Sequence, residues 1–180
     1  MKLICILVTI TLLFPFGENS KEKKALAIEI GSNLAENKIL CSFSHPDKKD
    51  EFYIMIEGSS ILKGNVRFTI TNYNRIKIYE EEFPAIFLIG HGLPFEASEI
   101  EKENFIKKRI SEFFNEDNFS SPAISAEDTF DEDYSNKEIW EDIKSDQTAI
   151  GFYYLIGEGD GRSIAYSKKL KKVVMYFNCC

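Results

Sequence analysis

Val66-Arg-Phe-Thr-Ile-Thr71, Asn72-Tyr-Asn74 and Ile76-Lys-Ile-Tyr79 decide the fold class. Val66, Phe68 and Ile70 fall on one side of an extended backbone, and Arg67, Thr69 and Thr71 on the other. That period of two belongs to a strand with one dry and one wet face. Asn72 and Asn74 tolerate the positive φ of a tight turn. Residues 66–71 and 76–82 are therefore read as an antiparallel hairpin.

Working outward, Phe52-Tyr-Ile-Met-Ile56 has the aromatic and branched composition of a strand. Ile39-Leu-Cys-Ser-Phe43 is read as another, with the polar turn His45-Pro-Asp-Lys-Lys-Asp50 between them. Ala25-Leu-Ala-Ile-Glu-Ile30 fits strand or helix. On the other side, Pro84 lacks the N–H a central strand needs, so 83–89 is read as a loop or short edge segment. Ser98-Glu-Ile-Glu101 is a capping box and opens a helix over 98–115, with Ile106, Ile110, Phe113 and Phe114 on one stripe. Residues 118–134, polar and broken by Pro122, read as a long loop. A second capping box, Ser135-Asn-Lys-Glu138, opens a short helix over 137–144 carrying Ile139, Trp140 and Ile143.

Thr148-Ala-Ile-Gly-Phe-Tyr-Tyr-Leu-Ile156 is apolar enough for a central strand. Gly157-Glu-Gly-Asp-Gly161 reads as a hairpin turn built on Asp-Gly, with a return strand over 162–167. Lys168-Lys-Leu-Lys-Lys172 makes a basic turn before a last strand, 173–177. Connections are short and no βαβ alternation appears. The expected fold class is α+β: an antiparallel, meander-like sheet of about six or seven strands with one long and one short helix.

At the N-terminus, Lys2 precedes an unbroken apolar run from Leu3 to Phe14, followed by Pro15 and Gly17-Glu-Asn-Ser20. This is the pattern of an export leader, too short for a comfortable bilayer span. Residues 1–20 are assigned as a signal peptide and 21–180 as a single globular domain of about 160 residues. The absence of Ala-x-Ala before the exit leaves a retained anchor as the alternative. Cys5 sits inside the run rather than after it, which disfavours lipid attachment. The expected location is secreted, periplasmic or otherwise in the cell envelope, with no stable membrane span once the leader is cleaved. A net charge of -7 and a pI near 5.0 disfavour nucleic acid as a partner, because binding phosphates needs a basic face.

Without the leader, Cys41, Cys179 and Cys180 remain. Neighbouring cysteines bridge each other poorly across a trans peptide, so the expected disulfide joins Cys41 to Cys179 or Cys180. No Cys-x-x-Cys spacing supports a metal, and no cofactor motif appears. Residues 131–142 space oxygens like a calcium loop, but Asn136, Ile139 and Asp142 replace the turn glycine, a ligand and the bidentate Glu. Lys168, Lys169, Lys171 and Lys172 are read as a solvated turn guarding strand edges.

Gly90-His91-Gly92 is the one candidate for acid–base chemistry, with Glu96 or Glu99 as a partner carboxylate. Neither a Gly-x-Ser-x-Gly elbow nor a His-Glu-x-x-His motif accompanies it. Tyr79 and Tyr153 are candidates for a partner surface. These features favour a non-enzymatic envelope protein of binding, inhibitor or immunity type, whose partner is another protein. A small hydrolase using His91 is the alternative.

Overall fold

The computed structural model describes residues 33–90 and 92–179. The leader, the 25–30 segment, His91 and Cys180 lie outside the described residues.

The hairpin at the centre of the sequence reading is the centre of the first sheet. Strands β1 (Ala35–Cys41), β2 (Asp50–Glu57), β3 (Asn65–Thr71) and β4 (Lys77–Pro84) form an antiparallel meander in that order. Phe68 faces Glu81 across the β3–β4 pair, with an irregularity at Ile70/Thr71. Phe52, Ile54 and Ile56 of β2 and Val66, Phe68 and Ile70 of β3 are all fully buried. Their alternates form a wet face held by surface pairs such as Lys38–Glu51 (3.0 Å) and Arg67–Glu82 (2.7 Å).

A second sheet holds the remaining strands, β5 (Phe119–Ser120), β6 (Gly151–Leu155), β7 (Gly161–Ser167) and β8 (Lys172–Cys179), again antiparallel and in sequence order. The expectation of one sheet with six or seven strands is corrected to two four-stranded sheets. The meander stops at β4, an edge strand carrying Glu80-Glu-Glu82 and ending at Pro84. Charge on both faces and a missing N–H make it a poor template for another strand. The backbone leaves it through a 3-10 turn at Ala85–Ile89 and helix α1 (Glu99–Glu112).

The two sheets bury their apolar faces against each other. The Phe52 ring lies 5.5 Å from Phe152 of β6, and Phe68 lies 5.4 Å from Tyr154, in edge-on contacts. Phe113 and Phe114, just past α1, pack among the same rings. The far face of the second sheet is covered as well: Ala165, Val174 and Tyr176 pack against Ala123, Ile124 and Ile143 of helix α2 (Lys137–Ser145). Burial on both sides explains why the later strands read as apolar runs rather than clean alternation.

Both helix starts follow capping chemistry. At α1 the Ser98 hydroxyl accepts from the Glu101 N–H, and Glu101 accepts from the Ser98 N–H at 2.8 Å. At α2 the cap is Asn136, accepting from the Ile139 N–H at 3.2 Å, one residue later than the expected Ser135 box. The 83–89 stretch, read as a loop or short edge segment, is the end of edge strand β4 followed by a 3-10 turn. Residues 118–134 include the short strand β5.

Cys41 ends β1 and Cys179 ends β8, so they belong to different sheets, and no disulfide joins them. β1 pairs with β2 and β8 with β7, so the strands carrying Cys41 and Cys179 are not neighbours in a sheet; the Cys41–Cys180 alternative lies outside the described residues. The Cys41 thiol is half-buried, donates to Ser42 O at 3.7 Å, and is pushed up in pKa chiefly by burial. Among the described residues no helix is long and apolar enough to cross a membrane.

Candidate functional site

One concavity lies where the 3-10 turn, α1 and the β6–β7 turn meet. In a 3-10 helix, residues three apart eclipse each other. Ala85 and Leu88 therefore share the buried side, and Ile86 and Phe87 are turned outward, 40% and 51% exposed. Gly90 follows with φ 46°, and a Cβ there would lie 3.5 Å from the Glu158 backbone N. At Gly92 a Cβ would fall 2.1 Å from the Phe105 ring, so only glycine lets this loop press onto α1. The result is a cleft of ≈ 230 Å³ whose walls include Phe87, Ile89, Phe105, Leu155 and Ile156, with Arg109 and Glu158 as its charged groups. It opens onto a wider shelf of ≈ 550 Å³ over Ile86 and Asp160.

The turn forming one wall spans 157–160, with Gly159 at φ 74° and the Ile156 N–H donating to Asp160 O at 3.0 Å. The expected Asp-Gly turn is thus shifted, and Gly161 already belongs to β7, opposite Leu155. Arg162 fixes this turn: Nε and Nη2 donate to the two Asp160 oxygens at 3.1 and 3.2 Å, and Nη1 pairs with Glu81. Tyr154 donates to the other Glu81 oxygen. Tyr79 lies 2.6 Å from the Tyr154 hydroxyl and 2.9 Å from Glu81. Its single proton serves one of the two. Burial pushes both phenols above the usual tyrosine range. This cluster joins β4 to β6 and β7.

Tyr79, expected on a partner surface, instead points half-buried into that cluster. Tyr153 faces the opposite way from Tyr154, is 40% exposed, and lies over Gly161. Glu96 and Glu99 are exposed and do not line the cleft; the carboxylate that does is Glu158. His91 is outside the described residues, although Gly90 and Gly92 on either side of it both line the cleft. The sequence reading missed Phe87, Arg109 and Glu81. For Phe87 a signal existed: five consecutive apolar residues, 85–89, ran into Gly-His-Gly, too short a segment to bury all of them.

A second, polar concavity of ≈ 350 Å³ is lined by Ser44, His45, Asp146, Thr148 and Lys168. Its charges are spent on one another. Lys168 meets Asp146 and Thr148 at 2.8 Å each, and the Thr148 hydroxyl donates to Asp146 at 2.7 Å. Burial alone would raise the Asp146 carboxyl, but these partners hold it below the ordinary value. Lys168, read as part of a solvated basic turn, is tied down by these contacts but, like Lys169, Lys171 and Lys172, stays exposed.

Among the described residues no group of three or more His, Cys, Asp or Glu side chains gathers as metal ligands. In comparisons with known proteins, no family model, no curated protein and no solved structure matches the sequence or the fold.

Proposed function

We propose that this protein is an exported, non-enzymatic binding protein of the cell envelope, of inhibitor or immunity type, that engages another protein through the cleft at 86–92. The observation that carries the reading is the outward placement of Ile86 and Phe87 on the rim of an apolar cleft. Adjacent exposed apolar side chains continuous with an apolar concavity form the kind of patch that marks an interaction surface. The same connection also exposes Phe95 (96%). The described lining of the cleft includes no serine, threonine or cysteine to act as a nucleophile.

The alternative is a small hydrolase using His91. What favours it is that both glycines flanking His91 line the cleft, with Glu158 on the facing wall. One experiment separates the two readings. The mature protein, a Phe87→Asp variant and a His91→Ala variant are used as bait against the source envelope fraction, and retained proteins are identified by mass spectrometry. The binding reading expects Phe87→Asp to lose the captured partner, and His91→Ala to keep biological activity within about threefold, since loss of a general base usually costs a hundredfold or more. Retention by Phe87→Asp sinks the binding reading. A hundredfold loss in folded His91→Ala points to the hydrolase. The mass of the bait purified from its own envelope tests export, which expects loss of residues 1 to about 20.

A further inference from the structure

Arg109 is the feature of the cleft that the fold does not explain. It lies in the last turn of α1, half-buried, and lines both the main cleft and a small hollow formed with Tyr153 and Phe113. Among the described residues it has no ion pair and no hydrogen bond, whereas its neighbour Lys108 pairs with Glu112 at 3.8 Å. Its position near the helix C-terminus accounts for tolerance of the positive charge. It does not account for a planar fork of N–H donors set among Phe105, Leu155 and the 87–89 turn. A guanidinium held this way is matched by a carboxylate, which it can grip with two parallel hydrogen bonds.

We infer that the occupant of the cleft is an apolar peptide segment of the partner that carries a carboxylate, with Arg109 as its counter-ion. This rests on the binding reading above and adds the chemistry of the partner's contact. Glu158 and Asp160, the carboxylates at the cleft and its shelf, already have partners, so Arg109 is the charge left to select an anion, and the walls select apolar side chains. The open mouth, continuous with the shelf over Ile86 and Asp160, suits a peptide segment that continues past the cleft rather than an enclosed small molecule. Because the chain runs on past the cleft, the carboxylate is the side group of an Asp or Glu; the C-terminus of the partner polypeptide is the competing source.

Three tripeptide probes separate these sources: acetyl-Leu-Phe-Leu with a free C-terminal carboxylate, the same peptide as its amide, and acetyl-Leu-Glu-Leu amide. Each is titrated into the mature protein and followed by the amide resonances of Gly90, Gly92, Gly157 and Gly159. Acetyl-Leu-Glu-Leu amide is expected to bind about tenfold more tightly than the uncharged amide, the equivalent of one charge-assisted contact. Preference for the free C-terminal carboxylate instead would overturn the side-group assignment. Arg109→Met should erase the preference, Arg109→Lys should keep part of it, and Lys107→Met, on the exposed side of α1, should leave it intact. Circular dichroism and thermal melts establish that each variant is folded.

Equal binding of acid and amide, shifts confined to other resonances, or no binding up to the solubility limit each overturns the inference. So does dodecanoate binding a hundredfold more tightly than any peptide, which would make the cleft a site for small anionic amphiphiles. In the envelope capture, a partner lost by Phe87→Asp but kept by Arg109→Met leaves the binding reading standing and removes only the carboxylate.

Discussion

Asp50 is completely buried at the start of β2, yet it is a carboxylate with no cationic partner in contact among the described residues. What holds it is donor supply. It accepts from the Ser44 N–H at 2.5 Å, the Ser44 hydroxyl at 3.0 Å and the Tyr73 N–H at 3.1 Å. Two loops, 42–49 and 72–75, are tied to one carboxylate. In the sequence it was the last residue of a polar turn and gave no sign of this, because its donors come from six and 23 residues away. Replacing it with alanine strands two backbone N–H groups and should cost about 2–4 kcal/mol, the range for losing several hydrogen bonds to a charged acceptor. Asparagine should recover only part, since its Oδ1 can keep the Ser44 hydroxyl and Tyr73 N–H while its amide sets N–H against the Ser44 N–H. Asp47, exposed in the same loop, provides the control, with an expected change within about 0.5 kcal/mol. Urea unfolding of the three variants decides it; a loss under about 1 kcal/mol for Asp50→Ala would mean that water replaces the clamp.

Helix α1 shows which element boundaries could be read from the sequence. Its start is local: Ser98 and Glu101 are three residues apart and satisfy each other's backbone. Its end is not. Asn37 on β1 donates through Nδ2 to Ile110 O and Ser111 O, both at 3.0 Å, and Asn118 donates to Phe113 O at 2.9 Å. The carbonyls of a last turn need such donors. The expected helix ran to 115 because the apolar stripe continued through Phe113 and Phe114, whose rings are buried in the core after the helix has stopped. The 66–82 hairpin was legible because alternation and turn chemistry sit within one stretch. The split into two sheets was not, since strand patterning carries no information about which strand lies alongside. Asn37→Ala should therefore destabilise the fold by about 1 kcal/mol. Amide exchange should quicken at 110–115 while the 99–105 end, with its own cap, stays protected. Uniform quickening along the helix would refute a capping role for Asn37.

At the scale of the molecule, the cleft and the joint between the sheets are built from segments far apart in the sequence: 81–92, 105–109 and 154–162. That separation is why Gly90-His91-Gly92 could be noticed in the sequence while Arg109 and Glu81 could not. The joint has two parts. One is the aromatic core shared by Phe52, Phe68, Phe113, Phe152 and Tyr154, which rewards burial without specifying alignment. The other is directional: Glu81 on β4 receives Tyr154 of β6 and Arg162 of β7, and Arg162 also holds Asp160 on the cleft wall. The Glu81 and Arg162 side chains are only 14% and 22% exposed, unlike Lys38–Glu51 on the wet face, whose side chains are 41% exposed or more. Surface pairs of that kind contribute about 0–1 kcal/mol. Breaking a fully buried pair leaves an uncompensated charge and costs about 3–5 kcal/mol; for this partly exposed pair the loss falls between the two ranges, at about 2–3 kcal/mol. Arg162→Met should thus destabilise the protein by more than loss of any surface pair, and Glu81→Leu nearly as much, because it leaves Arg162 without this counter-charge and one of the two phenol protons without an acceptor. The double variant should recover about 1–3 kcal/mol relative to the sum of the single losses, because neither charge is then left alone. Since Asp160 loses its clamp in both variants that lack Arg162, exchange at the 157–160 amides should quicken in those two and remain slow in Glu81→Leu. Additive losses in urea would mean that Glu81 and Arg162 act independently. Equal quickening of the turn in all three variants would place the hold on the cleft wall in the packing of the sheets rather than in the guanidinium.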